Sequence, residues 1–393
     1  MSNFDAIKAL HDGAFMPTYG RFPVALERGS GAVATDADGK AYIDFGSGIG
    51  VNALGFCDEG WVAAVCNQAA TLQHCSNLYY NPIQTKAAAA LCDATGMGRV
   101  FFANSGAEAN ECAIKLARKY SFDKYGKGRA TIVGMNNSFH GRTLTTLSAT
   151  GQDVFHNFFF PFTEGFRFVD AGDLAALTAA IDDTVCAVML ECIQGEGGVI
   201  PLSADYLQAV RALCDERDIL LIVDEVQTGA SRTGKFLACE HAGITPDIVT
   251  MAKGLGGGLP IGACLCTDRL GEVMGASTHG STFGGNPVAC AAACYMVATL
   301  TDPDFLAAVT EKGNYIRRRL SAMPHVKEVR GQGMMLGIVL DAGDAKTVAN
   351  ACLENGLLIL TAKTLLRLLP PLNIAEEELA RGLDILENVL KGL

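Results

Sequence analysis

The stretch Leu220-Leu221-Ile222-Val223-Asp224-Glu225, followed by Ile248-Val249-Thr250-Met251-Ala252-Lys253-Gly254, sets ionisable residues at the ends of two apolar runs. Runs of that length and composition read as fully buried strands. In an α/β sheet, ligands bind beyond the carboxyl ends of the strands, so Asp224 and Lys253 fall where a site would be built. A buried carboxylate needs a cationic partner, and no Arg or Lys adjoins Asp224. A protonated pyridine nitrogen would supply that charge, and the carboxylate would in turn raise the nitrogen's pKa. Capping of a following helix, or contact with a metal, is the other use for such an Asp. A lysine in apolar surroundings loses its proton readily, and a neutral amine is the nucleophile that forms an imine with an aldehyde.

Outward from this pair, apolar runs alternate with amphipathic stretches from about residue 90 to 270, the pattern of a mainly parallel sheet covered by helices. The expected strands are Val100–Ala103, Thr131–Gly134, Cys186–Glu191, Leu220–Val223, Ile248–Ala252 and Gly262–Cys266. Ala109, Ala113, Leu116, Ala117 and Tyr120 recur at helical spacing, which starts a helix close to Gly106. Strand, then Asn104-Ser105-Gly106-Ala107-Glu108, then helix aims free backbone N–H groups at one point and suits a phosphate. The same residues also read as an ordinary capping box, with Ser105 as N-cap and Glu108 three residues on. In Lys253-Gly254-Leu255-Gly256-Gly257-Gly258 the lysine precedes the glycines, which excludes a Walker loop, and no Gly-x-Gly-x-x-Gly opens an early βα unit.

Composition limits what the chain can be. With 393 residues, 49% of them hydrophobic and 19% charged, it suits a two-domain globular enzyme. A formal net charge of -11 disfavours a nucleic-acid partner. The 14 cysteines lie among apolar residues without a Cys-x-x-Cys pair, so they read as structural thiols in a reducing compartment. No His-Glu-x-x-His helix stands among the seven histidines, and no metal is expected. Met1–Leu10 lacks the basic start and apolar stretch of a secretory signal, and no apolar run is long enough to cross a bilayer, so a cytoplasmic location is expected. Beyond Pro287 the pattern shifts to longer helices such as Phe305–Leu320, with strands near Gly337–Leu340 and Leu357–Leu360. Ala32–Phe45, turning at Asp38-Gly39, reads as a hairpin whose strands could pair with that C-terminal part.

These motifs, in order, resemble those of the class III (ω-amino acid) aminotransferases, enzymes of pyridoxal 5'-phosphate (PLP). The likeness runs through Ser105-Gly106-Ala107-Glu108-Ala109-Asn110-Glu111, Phe139-His140-Gly141-Arg142-Thr143 and Ile193-Gln194-Gly195-Glu196-Gly197-Gly198. It continues through Asp224-Glu225-Val226-Gln227-Thr228-Gly229, Ala252-Lys253-Gly254, His279 to Pro287 and Leu366-Arg367-Leu368-Leu369-Pro370-Pro371. It is strongest to the branch that acts on N2-acetylornithine. The resemblance implies the α/β type I fold of PLP-dependent transferases. A large domain, 48–284, would carry a mainly parallel sheet, and a small α+β domain would be built from 1–47 with 285–393.

It also implies site roles. Lys253 and Asp224 would be catalytic. Ser105, Gly106, Ala107, Phe139, Glu225, Val226 and Gln227 would meet the cofactor, with Thr282 reaching the phosphate from the second subunit of a homodimer. Arg142, Ser281, Glu196 and Arg367 would meet substrate, the last two as a switching pair that admits either an ω-amine donor or 2-oxoglutarate. The implied reaction yields N-acetylglutamate semialdehyde and glutamate, within arginine biosynthesis. Transamination of ornithine, succinylornithine or 4-aminobutyrate is the alternative, and a PLP mutase or decarboxylase another. The chain departs from the family pattern at Cys192 (usually Pro), Ser231 (usually Gly), Cys57-Asp58-Glu59-Gly60, and a shorter, more basic Thr361-Ala362-Lys363-Thr364 before Arg367.

Overall fold

The computed structural model describes residues 2–393; Met1 lies outside the described residues. Its largest sheet has seven strands: β1 (Arg99–Ala103), β2 (Thr131–Met135), β3 (Phe166–Val169), β4 (Val185–Leu190), β5 (Leu220–Asp224), β6 (Ile248–Met251) and β7 (Gly262–Cys266). They lie in the order β1-β7-β6-β5-β4-β2-β3. Every residue of β4 to β7 is buried, which is why these strands read as unbroken apolar runs rather than alternating ones. Strand β3 went unread, because its Phe-Arg-Phe-Val sequence carries an arginine and sits at the sheet edge. The sheet is mainly parallel, as expected, but β7 runs antiparallel to both β6 and β1. Gly262 therefore sits opposite Ala103, and a Cβ there would lie 2.2 Å from the Ser105 carbonyl oxygen.

Helix α1 (Gly106–Tyr125) follows β1 directly and buries Ala109, Ala113, Leu116 and Ala117 against the sheet. The C-terminal part holds a four-stranded antiparallel sheet formed by Val326–Gln332, Met335–Leu340, Leu365–Leu368 and Leu360–Ala362. The hairpin expected at Asp38-Gly39 forms between Val33–Asp36 and Ala41–Asp44. Its second strand takes Leu357–Leu358 in parallel, so the chain's two ends share a sheet. The single strand expected over Leu357–Leu360 is split, because Leu360–Ala362 turns away to pair with Leu365–Leu368. Pro287–Leu300 falls in the stretch expected in the small domain. This almost wholly apolar helix packs on the helices Glu59–Thr71 and Pro82–Thr95 that precede β1.

Candidate active site

Strands β5 and β6 lie side by side in parallel, with Asp224 opposite Thr250, and β6 runs through Ala252 into Lys253. Both ionisable groups open on one cavity of about 430 Å³ at the carboxyl edge of the sheet. Asp224 is buried. Its Oδ2 accepts a hydrogen bond from Asn110 Nδ2 at 2.8 Å and meets His140 Nδ1 at 2.8 Å, while its Oδ1 accepts from the Val226 N–H at 2.9 Å. A carboxylate has roughly four acceptor positions, so about one remains for a donor in the cavity. Asn110 is fixed in turn by Thr250 Oγ1 at 2.7 Å and the His140 carbonyl at 2.8 Å. Burial works against a charged His140, but the neighbouring Asp224 outweighs it and raises the imidazole's pKa.

Lys253 has φ +49°, a left-handed conformation that costs a side-chain-bearing residue about 1–3 kcal/mol. Burial lowers its pKa; Glu196 opposes that shift and Arg367 adds to it. The amine is thus biased toward its neutral, nucleophilic form.

The start of α1 has the form that suits a phosphate. Ser105 Oγ accepts from the Glu108 N–H at 3.2 Å, the expected N-cap. Glu108 reaches one residue further back than a capping box requires, accepting from Asn104 N at 2.7 Å and Nδ2 at 2.8 Å. Gly106 and Ala107 line the cavity with the unshared N–H groups of a first helical turn. A Cβ on Gly106 would lie 2.8 Å from Val226 Cγ1, so the glycine lets the helix start come down on the β5 loop.

Phe139 and Val226 line the same cavity. The Phe139 N–H donates to Glu191 Oε1 at 2.9 Å, and Glu191 Oε2 accepts from the Gly195 N–H at 3.2 Å. Glu191 is buried, which raises its pKa, and it ties the Phe139 segment to the turn that carries Glu196. Arg142 is exposed, with its guanidinium 4.0 Å from the Phe155 ring centroid and 5.5 Å from that of Phe139. It forms no ion pair among the described residues, which leaves its fork free for a carboxylate.

Glu196 and Arg367 form an ion pair. Nη1 meets Oε1 at 2.5 Å, and Gln227 joins both, accepting from Arg367 at 3.2 Å and donating to Glu196 at 3.3 Å. Burial raises the Glu196 pKa, but Arg367 overrides it and the net direction is down. Gln227 does line the cavity, though its amide is engaged in this triad.

Two groups of residues lie elsewhere. Ser281 and Thr282 do not line this cavity; Ser281 Oγ accepts from Asn104 Nδ2 at 3.1 Å and the Gly284 N–H at 2.9 Å. The Glu225 side chain points away from the cavity that Asp224 faces, because successive residues at a strand end point to opposite faces. Its carboxylate accepts from Thr228 Oγ1 and, at 2.8 Å, from the Cys239 N–H, well buried and away from the cavity. Three residues the reading had not singled out, Asn110, His140 and Glu191, complete the site. Glu191 carried the same signal as Asp224, a carboxylate closing an apolar strand; the other two lay inside motifs already quoted but needed the fold to bring them to Asp224.

The residues present fit PLP. A neutral-prone lysine, a buried carboxylate with acceptor capacity to spare, an apolar face and a helix start suited to phosphate surround one cavity. The described residues hold no group of His, Cys, Asp and Glu arranged to bind a metal ion.

Comparison with known proteins agrees with this geometry. The aminotransferase class-III family model matches residues 14–390. The chain is 52% identical to the acetylornithine aminotransferase of Haemophilus ducreyi over 98% of each chain. It is 46% identical to that of Methanocaldococcus jannaschii over 94% of each. Among solved structures, an ornithine aminotransferase from Toxoplasma gondii superposes with a TM-score of 0.96 at 34% identity, covering 100% of this chain and 96% of its own. An N-acetylornithine aminotransferase from Stenotrophomonas maltophilia gives 0.84 at 39%, covering 95% and 97%. A match spanning nearly the whole sequence, together with relatives half identical over that span, assigns the chain: it belongs to the class III aminotransferases.

Proposed function

We propose that this enzyme moves the terminal amino group of N2-acetylornithine to 2-oxoglutarate, giving N-acetylglutamate semialdehyde and glutamate, as a step of arginine biosynthesis. The observation that carries the reading is the pairing of Lys253 with Asp224 at the ends of adjacent strands in one cavity. PLP, when bound, supplies an aldehyde carbon that amines attack and a pyridinium ring that draws electrons from the neighbouring carbon. Lys253 Nζ serves as the amine that holds the cofactor and, once freed, as the general base that moves a proton. Asp224, oriented by Asn110 and His140, keeps the ring nitrogen protonated. The N–H groups of Gly106 and Ala107 hold the phosphate, with Ser105 capping that helix start, and Phe139 and Val226 bound the ring. Arg142 grips the donor's α-carboxylate in a two-pronged hydrogen bond.

Relatives named for acetylornithine reach 52% identity over 98% of each chain, and this favours acetylornithine as the donor. Overall superposition does not separate the two donors, since one fold serves both.

A homodimer is part of the proposal, with Ser281 and Thr282 reaching the partner's site. Asn77 Nδ2 donates to the carbonyls of Ser281 and Gly284, each at 3.0 Å, so the segments around them form one surface. Leu78, Tyr79, Tyr80 and Phe283 are exposed there, an apolar patch of the kind that a second subunit covers. A cytoplasmic location is supported by cysteines that are all free, nine of the 14 buried; no described helix is long and apolar enough to cross a membrane.

The test is a panel of amine donors with the PLP-loaded enzyme, measuring initial rates of glutamate formation, with Lys253→Ala as the control. Acetylornithine should give the highest kcat/KM, and Lys253→Ala should lose about 10²- to 10⁴-fold or more. A preference for ornithine would sink the substrate reading, and normal turnover by Lys253→Ala would sink the assignment of the amine.

A further inference from the structure

The hairpin Leu360–Ala362/Leu365–Leu368 carries Arg367 into the site and is tied to the large sheet's domain at two places of different character. Near its base, Arg232 is fully buried, and its Nη1 donates to the carbonyls of Pro370 and Met334. Water does not compete for those bonds, so they hold through motion. At its tip Lys363, with φ +52°, reaches across the domain boundary and its Nζ donates to Asn137 Oδ1. This tip contact is exposed, and water can replace it at small cost. Arg367 lies between the fixed base and the releasable tip.

The far side of the tip contact also belongs to the site. Asn137 stands two residues before Phe139, and its carbonyl packs on Gly197, where a Cβ would come within 2.6 Å. Gly197 follows Glu196, the partner of Arg367. Ile193 and Val199 also pack with Met335, Ala362 and Leu365 in one buried apolar cluster, so the same two segments are joined by apolar contact as well. The Lys363–Asn137 contact therefore bridges the two segments that present the arginine and its glutamate.

We propose that Lys363 is a positioning residue, a latch on Asn137 that holds the hairpin against the large domain and keeps Arg367 paired with Glu196. It rests on the proposed transamination and on the switching role that the resemblance implies for that pair: closed for the ω-amine donor, open when a second carboxylate of the acceptor takes Arg367. A made latch favours the donor step, and a released latch favours the acceptor step.

The experiment times the two half-reactions separately by stopped-flow absorbance, acetylornithine with the PLP enzyme and 2-oxoglutarate with the aminated enzyme. Lys363→Met should lower donor kcat/KM about two- to tenfold, the worth of one exposed charge-assisted hydrogen bond. The acceptor step should stay equal or rise. Asn137→Gly, which keeps the left-handed backbone at φ +67°, should reproduce the split, and the double variant should add nothing. Lys363→Arg should restore much of the donor rate. Equal losses in both half-reactions, or additive effects of the two variants, would overturn the latch. Failure of the wild-type enzyme to react with either substrate would instead overturn the functional reading beneath it.

Discussion

At the scale of single residues, the site sets two carboxylates next to each other in sequence to opposite tasks. Asp224 faces the cavity, held by Asn110, His140 and the Val226 N–H. Glu225 faces the interior and anchors the segment at Cys239. Burial pushes the Glu225 carboxyl up to about 7, above its ordinary 4.5. The folded chain then binds more protons than the unfolded one between those two values, so this group's contribution falls as pH rises through that window and levels off above it. Glu225→Gln, which keeps an acceptor for the Cys239 N–H, should flatten that part of the profile by on the order of 3 kcal/mol. Thermal melts of both proteins from pH 4.5 to 8 would check this; parallel profiles would count against a protonated Glu225.

At the scale of elements, the start of α1 and the loop after β5 meet so closely that only glycine fits between them. Gly106→Ala should push its new methyl against Val226, tilt the first turn and loosen PLP binding by about tenfold, a cost near 1.4 kcal/mol. Titration of the apoenzyme with PLP would register it, and unchanged affinity would show that the turn yields freely. Much of this architecture was legible beforehand. Strands β5 and β6 declare themselves because burial on both faces leaves no charged residue until the chain reaches the ligand edge. Lys253 and Asp224 were singled out from that interruption, read together with the helix start at Gly106. Strand β3 and the reversal of β7 were not legible, because edge position and strand direction are set by pairing partners distant in sequence. The side on which Glu225 falls was equally hidden, since Thr228 and the Cys239 N–H that receive it are placed by the fold. His140 escaped for the same reason: β5 and the segment after β2 converge only in three dimensions.

At the scale of the whole molecule, the terminal part of the chain and the large sheet are joined through a few buried polar contacts as well as apolar packing. Arg232 is the chief of these, desolvated enough that its pKa falls to about 9. Ser231 beside it, with φ +66°, donates its hydroxyl to the Leu300 carbonyl at 2.5 Å, so this departure from the family's usual glycine gains a partner of its own. Arg232→Met should lower global stability by about 2 to 4 kcal/mol, since two buried carbonyls lose their donor and Asp44 loses its nearby charge. Urea denaturation would measure it; a variant as stable as the parent would mean that water or a neighbour takes over both bonds.

The reversed strand β7 has a consequence for Lys253. Because β6 leaves the sheet at Met251 and β7 re-enters it at Gly262, at the same edge, the backbone that carries the amine is staked at both ends. A nitrogen so tethered cannot drift into bulk solvent when its bond is exchanged, and its effective molarity stays far above that of any free base.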